Sequence, residues 1–177
     1  LCEKPLASNA GEVRNMIRVA RENGVMLMEA MISTLSPNFR MVQGRLEGLG
    51  TVRNYSGTFC QYSTKYDKLK KILAGEDPSP VPSSFNPDCS GGALMDIGIY
   101  PIYPMVTLFG RPSGIKANVL TVNVPTSRGM RPVDIQGAVV FEYREMTASA
   151  VYSKVADSKL RTEISCENGI LSLDQIQ

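Results

Sequence analysis

The chain has 177 residues, room for one domain or for one domain and a piece of another. Nineteen Lys and Arg against seventeen Asp and Glu leave a net charge of +2, which argues for no nucleic acid and no anionic membrane as partner. Histidine is absent, which excludes Ser-His-Asp and Cys-His catalysis and any His-ligated metal.

Proton transfer must therefore fall to Asp, Glu, Lys, Tyr or Cys, and no metal is expected. Cys2, Cys60, Cys89 and Cys166 are far apart and form no C-x-x-C pair. They read as reduced thiols of a cytoplasmic protein. The apolar run nearest to a membrane span is Ala93 to Phe109, but it carries Asp96, Pro101 and Pro104. Leu1 to Pro5 opens abruptly, like the end of a buried strand, and is expected to belong to a longer protein.

Asn9 to Asn23 reads as a helix. Asn9 and Glu12 have capping-box spacing, and Ala10, Val13, Met16, Ile17 and Ala20 fall on one face. Gly24 stops it, and Val25 to Ala30 follows as a short buried strand. The opening is then strand end, helix, strand, the last unit of a parallel α/β sheet. Ser36-Pro37 starts a second helix, which runs to about Glu47 with Phe39, Val42 and Leu46 as its apolar stripe.

Thr51 to Tyr62 is a long strand candidate. Ser63 to Cys89 carries four prolines and reads as a loop, broken by a short helix at Asp67 to Ala74. Gly91 to Phe109 reads as a helix that Pro101 and Pro104 should kink. From Ile115 onward the pattern turns to period two. Ile115 to Val124, Asp134 to Tyr143, Thr147 to Val155, Leu160 to Glu167 and Ile170 to Leu173 are strand candidates. Arg144-Glu145 and Asn168-Gly169 are turns, the second a strong hairpin signal. Arg128 and Arg131 are placed in a solvated loop around Gly129. The fold class is α+β: a mostly antiparallel open sheet backed by helices.

Two motifs carry chemistry. Glu3-Lys4-Pro5 sits where a parallel strand ends and a helix soon begins, the place where ligands bind in open α/β sheets. Alone, it reads more readily as a solvated lysine in a turn. Gly91 to Tyr100 places Asp96 in an apolar run, where a carboxylate must be paired or lie in a cleft. Tyr100 lies four residues on, on the same helix face. A structural Asp–Tyr hydrogen bond is the alternative reading of that pair.

Together, Glu3-Lys4-Pro5 and Gly91-Gly92-Ala93-Leu94-Met95-Asp96-Ile97-Gly98-Ile99-Tyr100 resemble the Gfo/Idh/MocA family of NAD(P)-dependent oxidoreductases. That family has E-K-P at the end of its Rossmann domain and, well downstream, a G-G-x-L-x-D-x-G-x-[HY] helix. Met28-Glu29-Ala30-Met31, Ser36-Pro37 and Gln61 to Asp67 are similar to it as well, so the likeness covers essentially the whole chain. It implies that residues 1–30 are the remnant of a dinucleotide-binding Rossmann domain and residues 31–177 a substrate-binding and catalytic domain.

It also implies roles. Lys4, Asp96 and Tyr100 would be catalytic, with Tyr100 as acid/base where many members have His. An adjacent ammonium favours phenolate over phenol, so Lys4 is expected to help position 100 exchange a proton. Glu3, Lys4 and Pro5 would touch the cofactor, NAD or NADP, and Tyr62, Asp96 and Tyr100 a small-molecule alcohol or carbonyl substrate. Lys65 and Tyr66 are further pocket candidates. The main cofactor motif is missing: Gly48-Leu49-Gly50 comes closest to G-x-G-x-x-G, but Arg53 takes the third glycine's place and a strand follows. The isolated chain is therefore expected not to turn over. In the strand 134–143, Ile135, Val139, Phe141 and Tyr143 would face the helices. Ala138 and Val140 would face outward, where a homodimer interface is expected. The alternative is a non-catalytic domain that uses this sheet for oligomerisation or ligand sensing.

Overall fold

The computed structural model describes residues 1–174. Residues 175–177, the end of the expected second domain, lie outside the described residues. Helix α1 (Ala10–Glu22) is capped as its sequence predicts. The Asn9 side chain accepts from the Glu12 amide, and the Glu12 carboxylate takes the Ser8 amide and hydroxyl. Gly24, at φ +64°, ends it.

The expected strand at Val25 to Ala30 is not a strand. It makes one parallel bridge, Cys2 with Glu29, through two backbone hydrogen bonds of 2.8 and 2.7 Å. Val25, Met26 and Met28 are exposed. A strand is defined by its partners, and among the described residues only the short segment around Cys2 lies beside this one.

A 3₁₀ turn (Ile32–Leu35) leads into α2 (Pro37–Leu46), where the Ser36 hydroxyl accepts from the Phe39 amide and Phe39 and Val42 turn inward. Strand β1 (Val52–Cys60) follows, then α3 (Thr64–Leu73). The stretch after α3 is not a free loop. Leu69, Val81 and Phe85 bury themselves against Val124, Val133 and Ile135, and two 3₁₀ turns (Ser83–Phe85, Pro87–Cys89) order it.

The helix expected at 91–109 is a π turn (Leu94–Gly98) running into α4 (Ile99–Phe109). Proline supplies no N–H to the turn before it, so the helix widens instead of simply kinking. Pro87–Phe109 is long and apolar enough, by length and composition, to cross a membrane. In this fold it packs on the sheet.

Strands β2 (Gly114–Thr126), β3 (Gly129–Glu142), β4 (Thr147–Ser153), β5 (Thr162–Cys166) and β6 (Gly169–Leu173) complete one six-stranded sheet in the order β2-β3-β4-β1-β5-β6. Every neighbouring pair is antiparallel except β1 with β4. The α+β reading therefore holds. The β2–β3 hairpin is longer than its sequence suggested. Arg128 is in the turn, but Arg131 lies within β3 and pairs with Asp88 at 3.3 Å.

Helices α2 and α4 and the π turn cover one face of the sheet. Val42, Tyr55, Ile97, Met105, Val139, Phe141, Ala148, Ala150, Tyr152 and Ile164 make the core between them. The approach is close: a Cβ on Gly57 of β1 would lie 2.8 Å from Pro101 of α4.

Candidate active site

The Cys2–Glu29 bridge fixes the backbone just before Lys4, and the Leu6 amide donates to Glu29 Oε1 at 2.7 Å just after Pro5. The Lys4–Pro5 peptide is cis. Lys4 points inward: its ammonium donates to the Asp96 carbonyl and lies 3.4 Å from Asp96 Oδ1. The residue five on from Asp96 is Pro101, which has no N–H. A five-residue π step from that carbonyl thus has no donor, and Lys4 takes it.

The start of the π turn is held from β3. Asp134 Oδ2 accepts the Leu94 amide at 2.7 Å. Gly92, at φ +143°, permits this: a Cβ there would lie 2.2 Å from Asp134 Oδ1. Burial pushes the Asp134 carboxyl above its usual range, against the backbone amides that favour its charge.

Tyr100 opens α4 one turn beyond Asp96. Its ring packs on Phe59 of β1, centroids 4.9 Å apart, and the Lys4 ammonium stands 4.6 Å from its centre. Asp96 and Tyr100 meet through Lys4; among the described residues they share no direct hydrogen bond. The structure thus brings Lys4, Asp96 and Tyr100 together.

It does not bring Tyr62 to them. The Tyr62 hydroxyl donates to Asp67 at 2.7 Å and accepts from Lys70 at 2.9 Å, on the surface of α3. Lys65, in the first turn of the same helix, lines the cleft. Glu3 is exposed, while Pro5 lines the cleft beside Lys4. The cleft measures about 270 Å³, and Ser83, Ser84 and Ser90 give it a hydroxyl-rich wall. The Ser84 hydroxyl is buried without a hydrogen-bond partner among the described residues.

The sequence reading missed Lys154. It follows β4 directly, and its ammonium donates to Asp96 Oδ2 and to the Ser84 carbonyl at 3.4 Å. Its side chain is 3% exposed, against 15% for Lys4 and 38% for Asp96. The signal was available: Ala148, Ala150 and Tyr152 mark the buried face of β4, and two residues on, the same alternation reaches a lysine.

Asp96 feels opposed influences. Burial alone would raise its carboxyl, but the hydrogen bond and charge of Lys154 and the charge of Lys4 prevail and hold it below the ordinary range. Lys154 is lowered, chiefly by burial, with Asp96 working against that shift.

A sequence profile of the GFO/IDH/MocA C-terminal domain matches residues 45–172. The NADP(+)-dependent scyllo-inositol 2-dehydrogenase IolU of Bacillus subtilis is 42% identical over 99% of this chain and 49% of its own length. The trans-1,2-dihydrobenzene-1,2-diol dehydrogenase of Mus musculus is 34% identical over 66% of this chain and 32% of its own. The chain spans about half the length of the first of these relatives. Among solved structures, levoglucosan dehydrogenase in complex with NADH and levoglucosan superposes with a TM-score of 0.77 at 22% identity, covering 97% of this chain and 46% of that one. The profile spans most of the chain and the B. subtilis relative nearly all of it, and the chain belongs to the GFO/IDH/MocA family.

Proposed function

We propose that this chain is the substrate-binding and catalytic part of an NAD(P)-dependent oxidoreductase that acts on a CH–OH group of a sugar, polyol or cyclic diol. The observation that carries the reading is the Lys4 ammonium, which stands at once on Asp96 and over the Tyr100 ring beside a polar cleft. The three named relatives support it: each is a dehydrogenase whose name states a hydroxyl-bearing ring compound.

The cofactor fits in part. Lys4 and Pro5 line the cleft and would offer an ammonium and an apolar ring to the nicotinamide end, while Glu3 before them is exposed and would meet the cofactor from outside the cleft. The chain contains no G-x-G-x-x-G to cradle a pyrophosphate. When bound, the nicotinamide supplies or accepts the hydride. Tyr100 Oη takes the proton of the substrate hydroxyl in oxidation and returns it in reduction. Lys4 Nζ offers a charge-assisted hydrogen bond to the same substrate oxygen, where negative charge develops. Asp96, anchored by two ammoniums, keeps a partly exposed carboxylate for a neighbouring substrate hydroxyl. The reactive groups sit on a packed helix and a bridge, so their geometry is set before substrate arrives.

Residues 1–30 are read as the tail of a dinucleotide-binding domain and residues 31–177 as the substrate domain, a division the parallel Cys2–Glu29 pairing supports. The open face of the sheet, with Leu120 and Val140 exposed, is read as the contact of a homodimer. The four free thiols support a cytoplasmic setting.

The test is substitution in the full-length protein. Tyr100→Phe is expected to lower kcat about 10²- to 10⁴-fold while NAD(P)H binding, followed by fluorescence, stays intact. Lys4→Met is expected to act in the same direction. Undiminished turnover in the Tyr100→Phe variant would sink the reading.

A further inference from the structure

We infer that Lys154 is a positioning residue: a buried ammonium that clamps the Asp96 carboxylate and the Ser84 wall together and sets Asp96 for the reaction. The inference rests on the reading of Asp96 as a substrate-site carboxylate.

Isolated buried ammoniums are costly, so a lysine this deep marks a demand for its charge. Lys154 has three N–H donors. One goes to Asp96 Oδ2 and one to the Ser84 carbonyl, and the ammonium lies 4.3 Å from the centre of the Phe85 ring. With a side chain only 3% exposed, it lies too deep to meet a substrate in the cleft. It acts through the groups it holds.

The division between the two lysines is geometric. Lys154, buried behind the cleft lining, takes Oδ2, and Lys4, which lines the cleft, faces Oδ1 and the backbone carbonyl. Lys154 thereby supplies Asp96 with a buried counter-charge. Lys4 is left to stand over Tyr100 instead of serving as the sole partner of a half-buried carboxylate. The Ser84 contact extends the clamp to the cleft wall, because Ser83 and Ser84 line the same cavity as Asp96.

The charged groups around the Asp96–Lys154 pair come from three directions: Lys4 from the N-terminal segment, Lys65 from α3, and Asp134 from β3. Lys4 and Lys65 disfavour the Lys154 charge, and Asp96 favours it. Asp134 is already engaged by the Leu94 amide. Removing Lys154 leaves burial of Asp96 opposed by Lys4 alone.

The experiment follows the Asp96 carboxyl by ¹³C NMR during acid titration of the full-length protein, with Asp96→Asn identifying the signal. In Lys154→Met the Asp96 midpoint is expected to rise by about one unit or more, and in Lys154→Arg to return most of the way. In turnover, Lys154→Met should lower kcat about ten- to a hundredfold, with a smaller change in KM. The acid limb of its rate profile should move up in step with Asp96. An unmoved Asp96 midpoint in a folded Lys154→Met variant overturns the inference, because a merely structural lysine would change only the melting temperature.

Should Lys154→Met fail to fold, the converse measurement decides. In Asp96→Asn, the ammonium of Lys154 must titrate at lower pH than in the parent, and no change there overturns the inference equally. A parent protein without dehydrogenase activity would refute the proposed function while the Asp96 titration still tested the clamp.

Discussion

The two faces of the sheet are built from similar residues and live in different surroundings. Val139 and Val140 are neighbours in β3, yet one is 5% exposed and the other 51%. On the closed face Tyr55, Ala148, Ala150 and Tyr152 touch helices and are almost wholly buried. On the open face Leu120, Ala138 and Val151 border a shallow depression, and Lys116 pairs with Glu142 at 2.8 Å. The pleat sorts residues by parity alone; only packing gives a face its energy. The closed face also leads to the site. Lys154 continues the closed-face series of β4, so the charged cluster extends the core into the cleft and is not a surface patch laid over it.

Substitution to aspartate separates the faces most sharply. Val139→Asp buries an unpaired carboxylate and is expected to cost more than about 4 kcal/mol or to prevent folding, read by urea denaturation. Val140→Asp should leave the stability of a single chain within about 0.5 kcal/mol. If the open face joins two copies, it should convert a dimer to monomers in sedimentation. A dimer that survives Val140→Asp would place the subunit contact elsewhere.

Alkaline pH offers a smaller contrast. The closed face holds two phenols that burial keeps neutral. Tyr152 is pushed up to about 12 by burial and then by the charge of Asp134, and Tyr55 is raised by burial and then by Tyr143. A raised folded value means the folded state keeps protons that the unfolded chain releases. Stability is therefore full below the ordinary tyrosine range near 10 and lost as pH climbs toward 12. Urea midpoints at about pH 8 and about pH 11 should differ accordingly, with ultraviolet difference spectra reporting phenolate only on unfolding. The smallest effect is expected from Tyr152→Phe. The Tyr152 hydroxyl is buried without a partner among the described residues, so its removal should change stability at neutral pH by no more than about 1 kcal/mol and shrink the alkaline loss.

Much of this was legible in the sequence where the signal is local. The Asn9 cap and the Ser36-Pro37 start each depend on residues within a few positions, and both formed as expected; the hairpin formed too, but its turn is Glu167-Asn168, one residue before the expected Asn168-Gly169, and Gly169 pairs with Cys166 in β6. Lys4, Asp96 and Tyr100 were picked out by the two motifs taken together and the family they resemble; alone, neither motif separated a site from a solvated lysine or a structural Asp–Tyr pair. What needed distant partners was not legible. The apolar run at Val25 to Ala30 gave no sign that it would make only one bridge. Nothing within β1 or β4 announces that they run parallel. Tyr62 looked like a pocket residue from its place after a strand, but Asp67 and Lys70 hold its hydroxyl on α3. Lys154 was passed over because a lysine at a strand end ordinarily marks a solvated turn, although the alternation of β4 points it inward.

The π turn makes the site partly a matter of counting. A π turn is an α-helix carrying one extra residue. Each residue of an α-helix accounts for about 100° of rotation and about 1.5 Å of rise. Deleting one residue between Asp96 and Tyr100 would restore an ordinary helix. Tyr100 would stay on Phe59, while Asp96 swung by about 100° away from Lys154. Chain length at this one turn thus determines which way the carboxylate faces, a kind of specification that no single side-chain substitution would reveal.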